Sequence, residues 1–490
     1  MLQYEAIIGL EVHAHLATRS KMFCGCNTAV RAASRDKRGR FQAAEPNTHV
    51  CPVCTGQPGV LPVINRQAVE YAIMAGLALN CQIAEFTKWD RKNYHYPDLP
   101  KGYQISQYDL PLAFDGWLTV EVNGRQKRIR IRRAHLEEDA GKLIHRGKYS
   151  LVDLNRAGVP LLEIVSEPDL RTADETHAFL TQLRTILRYL GVSTADMEKG
   201  AMRCEPNISL RPVGAARLGV RTEIKNLNSF RAVRAAIAYE IERQTRVLES
   251  GRRVKQVTMG WDEHRHVTLP QRSKEGAEDY RYFPEPDLPP LLVGREWVEE
   301  IRARLPELPE AKKARFTAEY GLSAYDAGVL AADKAVANYF EAAVHAYVGD
   351  AKTISNWISG ELFRLMKGEW VEIDAIKVAP AGLVELASLV DKGSINSNTA
   401  REVLNQMFQT GETAGTIIQR QGLAQISNQA VLEAAVAQVL AANPKQVVQY
   451  LGGKETILQW LMGQVMRATR GKGNPHMVKT LLMEQLKAAR

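Results

Sequence analysis

The opening segment of the chain has the pattern of a β-strand. Residues 4–16 read YEAIIGLEVHAHL, and β-branched and apolar residues dominate this short span. Two alternating runs meet later at Asn123 and Gly124, a dipeptide that is typical of a hairpin turn. Arginine and isoleucine alternate over residues 128–132, so each type should occupy its own face of the second strand. The pattern therefore predicts a hairpin whose second strand has one apolar and one polar face.

Helical periodicity appears between these runs. It predicts one helix within residues 173–192 and another within residues 229–251, ended by Gly191 and Gly251 respectively. Strands and helices do not alternate regularly. This order favours an α+β fold with an antiparallel sheet over a doubly wound parallel sheet.

The pattern changes at a proline-rich segment, FPEPDLPPLLV, at residues 283–293. Proline disrupts both helix interiors and sheet ladders, so this segment predicts a domain boundary. Helical patterns continue from about residue 295 to the end, with another break near residues 421–428. We therefore expect three domains, at residues 1–294, 295–420 and 421–490. The last is a small helical module with eight basic and three acidic residues.

Composition narrows the class of protein. The 490 residues are 45% hydrophobic and 24% charged, which is typical of a folded globular chain and argues against disorder. No apolar run approaches the roughly 20 residues that a membrane span needs. The start lacks the pattern of a secretory signal, so we expect a cytoplasmic protein. The net charge of +9 permits a polyanionic partner such as RNA but does not require one.

Four of the six cysteines form a cluster with the spacing of a metal site. Cys24 and Cys26 form a C-x-C pair, and Cys51 and Cys54 form a C-x2-C pair 24 residues later. Two short loops that carry paired thiolates can close a tetrahedral zinc site. Because four thiolates leave no open position, such a zinc ion would be structural. The alternative is four buried thiols.

Acidic residues recur in polar positions of the N-terminal part. Glu11 and His13 should point to the same side of a strand, where they could hold a divalent cation or form only a partly exposed pair. Glu137, Glu138 and Asp139 are consecutive, and such a run either binds a cation or forms an acidic surface turn.

Two further runs, residues 202–212 and 221–230, combine a carboxylate (Glu205 or Glu223) with Asn and a basic residue such as Lys225. Acids that hold Mg²⁺ beside cations that steady phosphate are what a metal–phosphate site needs. Residues 92–109 add Lys92 and Lys101, which could line a polar pocket. The sequence has no G-x4-GK[ST] loop and no strand-borne G-x-G-x-x-G motif, so any nucleotide pocket here would be of an unfamiliar kind.

At these residues the sequence resembles the B subunit of the aspartyl/glutamyl-tRNA(Asn/Gln) amidotransferases. The segment VDLNRAGVPLLEIVSEPDLR at residues 152–171 is similar to a signature of that family. Other matching segments, in chain order, are IGLEVHAHL, YPDLPKGYQISQYD, AHLEEDAGK, EIKNLNSFRAV and EDYRYFPEPDLPPL, and the end GQVMRATRGKGNPHMVKTLL is similar to the YqeY-like tail.

The resemblance implies an enzyme that corrects tRNA(Gln) carrying glutamate or tRNA(Asn) carrying aspartate. The A subunit would hydrolyse glutamine, and ammonia would reach the B subunit through a tunnel. The B subunit would activate the side-chain carboxylate with ATP and Mg²⁺ as an acyl phosphate, which ammonia then converts to an amide. The C subunit would hold the other two together, and the basic tail would bind the tRNA backbone.

The resemblance also implies roles for individual residues. Glu205 stands where many relatives have Asp, and the basic insert at residues 30–43, within the cysteine loop, departs from the family. Lys92 and Lys101 match polar positions near the tunnel exit, where a chain of Lys92 and nearby acids could remove a proton from ammonium. The four cysteines match a zinc site that some members carry. The divalent-metal positions are matched by Glu11, His13, Glu138 and Glu223, with Glu137 adjacent.

A second hypothesis is a non-catalytic, zinc-containing RNA-binding protein that uses the same basic tail. The two hypotheses differ over the acids. A protein that only binds RNA has no reason to gather glutamates where phosphate would be repelled.

Overall fold

The computed structural model describes residues 3–28, 31–35, 41–273, 280–423, 429–469 and 473–488, with the backbone alone at 31–35, 41–43 and 272–273. The strands, in chain order, are β1 (Tyr4–His15), β2 (Arg31–Arg35), β3 (Phe41–Ala43), β4 (Gln82–Ile83), β5 (Phe86–Thr87), β6 (Asp90–Asn93), β7 (Tyr103–Ser106), β8 (Ala113–Val122), β9 (Arg125–Glu138), β10 (Lys142–Arg146), β11 (Tyr149–Asp153), β12 (Pro160–Ser166), β13 (Met202–Pro212), β14 (Thr222–Lys225), β15 (Val257–Asp262), β16 (Val267–Ser273), β17 (Arg281–Pro284) and β18 (Leu291–Leu292).

The helices, in chain order, are α1 (Arg66–Ala78), α2 (Ala173–Tyr189), α3 (Phe230–Glu249), α4 (Arg295–Ala303), α5 (Pro309–Tyr320), α6 (Ala324–Ala331), α7 (Lys334–Ala346), α8 (Ala351–Asn356), α9 (Phe363–Glu369), α10 (Pro380–Asp391), α11 (Ser397–Thr410), α12 (Ala414–Gln421), α13 (Gln429–Ala442), α14 (Pro444–Leu451), α15 (Ile457–Ala468) and α16 (Pro475–Ala488). A π-helical segment, Trp357–Leu362, joins α8 to α9, and Ile373–Ala375 form a short 3-10 helix. Both helices predicted in the N-terminal part are present, as α2 and α3.

A nine-stranded sheet in the order β16-β15-β14-β13-β1-β12-β9-β8-β4 organises the first compact unit, Met1–Leu308. The predicted α+β class is confirmed. The sheet is antiparallel as expected, except that β14 and β15 are parallel. The chain between them forms α3, and a helical crossover of this kind is what returns a strand in the same direction.

The two faces of this sheet have different roles. Ile8, Leu10 and Val12 of β1 are fully or almost fully buried in the core. Helices α2 and α3 contribute Leu183 and Ile237 to the same core. Because side chains alternate along a strand, the intervening residues of β1 project from the opposite face. That polar face is the floor of the site described below.

The predicted hairpin is the turn between β8 and β9. Asn123 and Gly124 both have positive φ, 52° and 73°, as the tight hairpin turn requires. Ile129 is fully buried, whereas Arg130 and Arg132 are exposed and form ion pairs on the surface. The alternation of residues 128–132 therefore separates core from solvent as predicted.

A smaller sheet in the order β17-β6-β7 lies beside the polar face. It joins residues that are far apart in sequence, since Lys92 of β6 pairs with Tyr282 of β17 and with Gln104 of β7. Within the basic insert at residues 30–43, which lies partly outside the described residues, β2 and β3 pair with each other.

The first unit continues beyond the domain boundary predicted at residues 294/295. Ile301 of α4 is fully buried in the first core, and Trp297 and Val298 pack against that core. The second unit, Pro309–Arg490, is helical. It contains one hydrophobic cluster within residues 316–418 and another within residues 432–486. The division into three domains stays a prediction, and these separate clusters favour it.

The tail cluster is formed by α13, α15 and α16. The five basic side chains of the tail that the structure describes are all exposed, and they are Lys445, Lys454, Arg467, Lys479 and Lys487.

None of the helices in the described ranges combines the length and apolar character that crossing a bilayer requires.

Candidate active site

Strand register brings four polar side chains into one row across the large sheet. His13 of β1 lies opposite Glu163 of β12 on one side and opposite Arg203 of β13 on the other. Glu163 in turn lies opposite His135 of β9. Residues opposite each other on neighbouring strands have Cβ atoms only about 5 Å apart. The pairing therefore concentrates these groups without any local sequence motif.

The remaining acids lie beside this row. Glu11 is opposite Glu205, and Asn207 is opposite Glu223. All of them line a cavity of about 510 Å³. Eight of the residues singled out from the sequence line it, namely Glu11, His13, Lys92, Glu137, Asp139, Glu205, Glu223 and Lys225.

Two groups of ligand atoms in this cavity are close enough to hold cations. One is formed by Glu11, His13 and Glu163, and the other by His135, Glu137 and Glu163. Within each group the ligand atoms lie within 4.8 Å of one another. Glu163 belongs to both, with one oxygen 3.3 Å from His13 Nε2 and 3.6 Å from His135 Nε2. Carboxylate oxygens suit Mg²⁺, and the added imidazole nitrogens also suit Mn²⁺.

The pKa values of two of these acids are shifted in opposite directions. Burial and the neighbouring Glu163 charge raise the pKa of Glu11 to about 7. Burial also opposes ionisation of Glu137, yet the Lys92 charge and the hydrogen bond to His135 hold its pKa well below the usual range. Glu137 also accepts hydrogen bonds from Ser106 (2.6 Å) and Gln104 (3.0 Å). Glu137 is therefore a fixed, ionised carboxylate at the cavity wall.

The small sheet places an ammonium group over these acids. Burial opposes the charge of Lys92, but Glu137 and Tyr282 raise its pKa well above the usual range. The Nζ atom lies 5.1 Å from the centre of the Tyr280 ring. Lys225 supplies a second ammonium, 2.9 Å from Glu205 and 3.5 Å from Glu223. The longer arm of Glu205, noted as a departure from the family, is thus engaged by Lys225.

Arginines line another part of the cavity, and a buried aspartate positions two of them. Asp139 Oδ2 lies 2.7 Å from Arg203 Nη2 and 3.3 Å from Arg156 Nε. The same oxygen lies 2.6 Å from His15 Nε2. Although burial opposes its charge, Arg203 and His15 hold the pKa of Asp139 well below the usual range. The cavity thus combines clustered acids with fixed cations, as a metal–phosphate site requires.

Two residues predicted for the site lie outside the lining of this cavity. Glu138 was expected to be a metal position, but its side chain lies on the opposite face of β9 from Glu137 and outside the cavity lining. It pairs with Lys101 and accepts a hydrogen bond from Ile105 N at 3.0 Å. Lys101 is accordingly also outside the cavity lining. The structure therefore places Glu137, rather than Glu138, beside the other acids.

Comparison with known proteins shows the family to which this chain belongs. Residues 6–299 match the family model described as the GatB/GatE catalytic domain, and residues 338–486 match the one described as the GatB domain. A relative from Caldicellulosiruptor saccharolyticus, named as the B subunit of an aspartyl/glutamyl-tRNA(Asn/Gln) amidotransferase, is 54% identical over 490 residues, 99% of each chain. The chain belongs to this family of amidotransferase B subunits.

Other members of the B-subunit family are similarly close. The relative from Moorella thermoacetica is 54% identical over 489 residues, which is 99% of this chain and 100% of that one. The relative from Carboxydothermus hydrogenoformans is 52% identical over 491 residues and 99% of each chain. Both are named as the same B subunit. The resemblance noted in the sequence is therefore confirmed over almost the whole chain.

Some cavity residues of this B-subunit family member escaped the sequence analysis. Glu163 lies within the buried run PLLEIVS of β12. Burying a carboxylate in such an apolar run is costly unless it faces a polar site. The position of Glu163 in the sequence could therefore have identified it as a candidate site residue. His135 precedes the acids at residues 137–139, but only the face of β9 on which it lies places it in the cavity. Arg203 gave no distinct signal.

The cysteine cluster of this B-subunit family member has the geometry of a metal site. The four sulfur atoms of Cys24, Cys26, Cys51 and Cys54 lie within 4.8 Å of one another, whereas tetrahedral zinc–sulfur bonds of about 2.3 Å imply sulfur atoms about 3.8 Å apart. A hydrogen bond with Cys24 lowers the pKa of Cys54 to about 4 and raises that of Cys24 above the usual range. The donor set and spacing fit zinc, and no thiol lines the acidic cavity.

Proposed function

We propose that this chain is the carboxylate-activating member of a heterotrimeric, tRNA-dependent amidotransferase. The side chain of glutamate on tRNA(Gln), or of aspartate on tRNA(Asn), would accept a phosphoryl group from ATP. Ammonia from glutamine hydrolysis in the A subunit would then displace phosphate and leave an amide. The observation that carries the proposal is the convergence of acids, imidazoles and cations in one cavity of about 510 Å³.

The chemistry requires this combination of groups. A carboxylate is a poor electrophile because its leaving group would be oxide, and phosphorylation supplies a better one. During phosphoryl transfer, negative charge spreads over the phosphoryl oxygens and must be balanced by cations. Glu11, His13, Glu163, His135 and Glu137 would hold Mg²⁺, which when bound neutralises phosphate charge.

The basic side chains of the cavity have a complementary role. Arg203 and Arg156 are held in place by ion pairs with Asp139. Because their side chains are already ordered, their guanidinium groups can bind phosphate oxygens with little further loss of conformational entropy. Lys225 balances Glu205 and Glu223. These contacts orient the nucleotide and the acceptor carboxylate for in-line transfer.

Lys92 is better suited to electrostatic stabilisation than to accepting a proton. Its raised pKa keeps the ammonium charged, so a proton from ammonium would pass to a neighbouring carboxylate. Lys101, which pairs with Glu138 outside the cavity lining, has no part in this relay.

The test uses the purified heterotrimer with glutamine and ATP. We expect conversion of Glu-tRNA(Gln), Asp-tRNA(Asn) or both to the amide, with one ADP formed for each amide. Omitting ATP should stop amide formation while glutamine hydrolysis persists in the A subunit. Amide formation at the full rate without ATP would contradict the proposal.

The competing hypothesis, a non-catalytic RNA-binding protein with structural zinc, accounts less well for the cavity. RNA phosphates would be repelled by Glu11, Glu163 and Glu205 unless cations were bound first. ATP turnover that depends on aminoacyl-tRNA separates the two hypotheses. A complex that binds tRNA yet forms no ADP would favour the binding protein.

The tail is proposed to bind the tRNA backbone. Deleting residues 421–490 should weaken tRNA affinity of the complex by at least about tenfold, because exposed basic groups contribute phosphate contacts and release counterions. Fluorescence anisotropy at several salt concentrations measures both the affinity and its salt slope. A full-length variant with Lys445, Lys454 and Lys479 changed to Gln is the folded control and should show a shallower slope. Unchanged affinity in both variants would refute the assignment.

A further inference from the structure

A lysine is buried beside the cysteine cluster. Lys21 is fully buried, and its Nζ lies 3.4 Å from Cys54 Sγ and 3.3 Å from the carbonyl oxygen of Leu154. Among the residues that the structure describes, no carboxylate lies at ion-pair distance from this ammonium. Lys312, the other lysine classed as buried among the described residues, differs, because its Nζ lies 2.6 Å from Glu341.

A buried ammonium needs negative charge nearby. Moving an isolated charge out of water costs several kcal/mol even after relaxation, and a carbonyl oxygen offsets only part of that cost. Four neutral thiols would leave the ammonium without a counterion. Four thiolates around Zn²⁺ carry a net charge of −2. This negative charge would lie next to the Lys21 ammonium and could act as its counterion. Cys54 is the natural acceptor, because it also accepts the backbone N–H of Cys51 at 3.2 Å.

We propose that Lys21 is the countercation of a zinc–tetrathiolate site and that the two stabilise each other. The Lys21 charge favours the thiolate ligands, and the bound zinc site in turn offsets the cost of burying Lys21. This inference concerns the cysteine cluster and does not depend on the proposed transfer reaction.

The surroundings are built to hold this side chain in place. Gly158 has a φ of +82°, and a Cβ there would lie 3.5 Å from Lys21 Cδ and from Cys54 Cβ. The amide of Met22 donates to the Gly158 carbonyl oxygen at 2.7 Å. Arg156 lies between Leu154 and Gly158 in the sequence, and its side chain lines the acidic cavity. Lys21 therefore connects the cysteine loop to the segment that presents Arg156.

The experiment is a thermodynamic cycle between Lys21 and zinc in the full heterotrimer. Lys21→Met removes the charge and keeps the apolar stem. We expect zinc to be released to a chromogenic chelator at least about tenfold faster than from wild type, since groups that bond to metal ligands commonly change metal affinity by 10–100-fold. Chelation of zinc should also lower the melting temperature of wild type more than that of Lys21→Met, because only wild type then retains an uncompensated buried ammonium.

Matched variants separate charge compensation from general destabilisation. Lys312→Met also removes a buried ammonium but should leave zinc release unchanged. Lys21→Gln serves if Lys21→Met does not fold, and it should also release zinc faster because it lacks the charge. After exchange of zinc for Co²⁺, the thiolate-to-cobalt absorption band should shift in the Lys21 variants and not in Lys312→Met.

The proposal fails if Lys21→Met and Lys21→Gln release zinc at the wild-type rate. It also fails if wild-type complex from zinc-supplemented cells holds no zinc at the four cysteines. Equal stabilisation of wild type and Lys21→Met by zinc would show that the lysine and the metal are not coupled.

Discussion

Glu163→Gln should reduce ATP-dependent transamidation by on the order of 10³-fold while the A subunit still hydrolyses glutamine. Glu163 is the one residue that belongs to both candidate cation groups. Glutamine has nearly the same shape, but it lacks the negative charge that balances a metal ion. The loss should therefore affect both groups at once. ADP and amide formation on Glu-tRNA(Gln), measured in parallel, quantify the effect.

The matched control for this variant is Glu167→Gln. Glu167 follows the same strand but forms an exposed ion pair with Arg132, 2.8 Å away, and does not line the cavity. Its substitution should change the transamidation rate less than twofold. If Glu163→Gln kept most of the wild-type activity with a normal melting temperature, the shared-carboxylate site would be wrong.

Lys92→Met should lower amide formation by on the order of 10²-fold. The ammonium balances Glu137 and Glu163, and its removal would leave buried carboxylates without that charge. Lys92→Arg keeps the charge and should retain more activity than Lys92→Met. Separate assays of ADP formation and amide formation show which step depends on the charge. Loss of both activities indicates that the charge stabilises phosphoryl transfer. Loss of amide formation alone indicates that the charge acts in the reaction with ammonia.

Lys88→Met is the control, because Lys88 is a lysine of the neighbouring chain segment whose ammonium pairs with Asp90 and Asp109 outside the cavity lining. It should leave both assays close to wild type. Full glutamine-dependent activity of Lys92→Ala would exclude every role proposed for Lys92, including the proton relay.

Local patterns were sufficient to predict the elements that carry the site. The periodicity of α2 and α3, the Asn123–Gly124 turn and the strand character of β1 each depend on residues that are close in sequence. The small sheet could not be predicted from local patterns, because it joins β6, β7 and β17, which are distant segments of the chain. The parallel pairing of β14 and β15 depends on the helix between them, and its direction was likewise not visible in either strand alone.

The acids of β9 show that predicting a strand is not enough to tell which of its side chains line the cavity. Glu137 and Glu138 are adjacent and chemically equivalent, so only the face of the strand decides which one reaches the cavity. The pairing of Leu161 with Glu137 and of Glu163 with His135 fixes that face. The sequence identified the acidic run but could not show which of its members face the cavity. The same register explains why His135 was missed.

The central position of β1 has a consequence for biosynthesis. This strand is synthesised before its two sheet partners, which begin only at Pro160 and Met202. At translation rates of roughly 5–20 residues per second, β1 waits on the order of 10–40 s for both neighbours. During that interval its unpaired edges and apolar side chains are open to aggregation. The nascent chain should therefore depend on chaperones until β13 has been made.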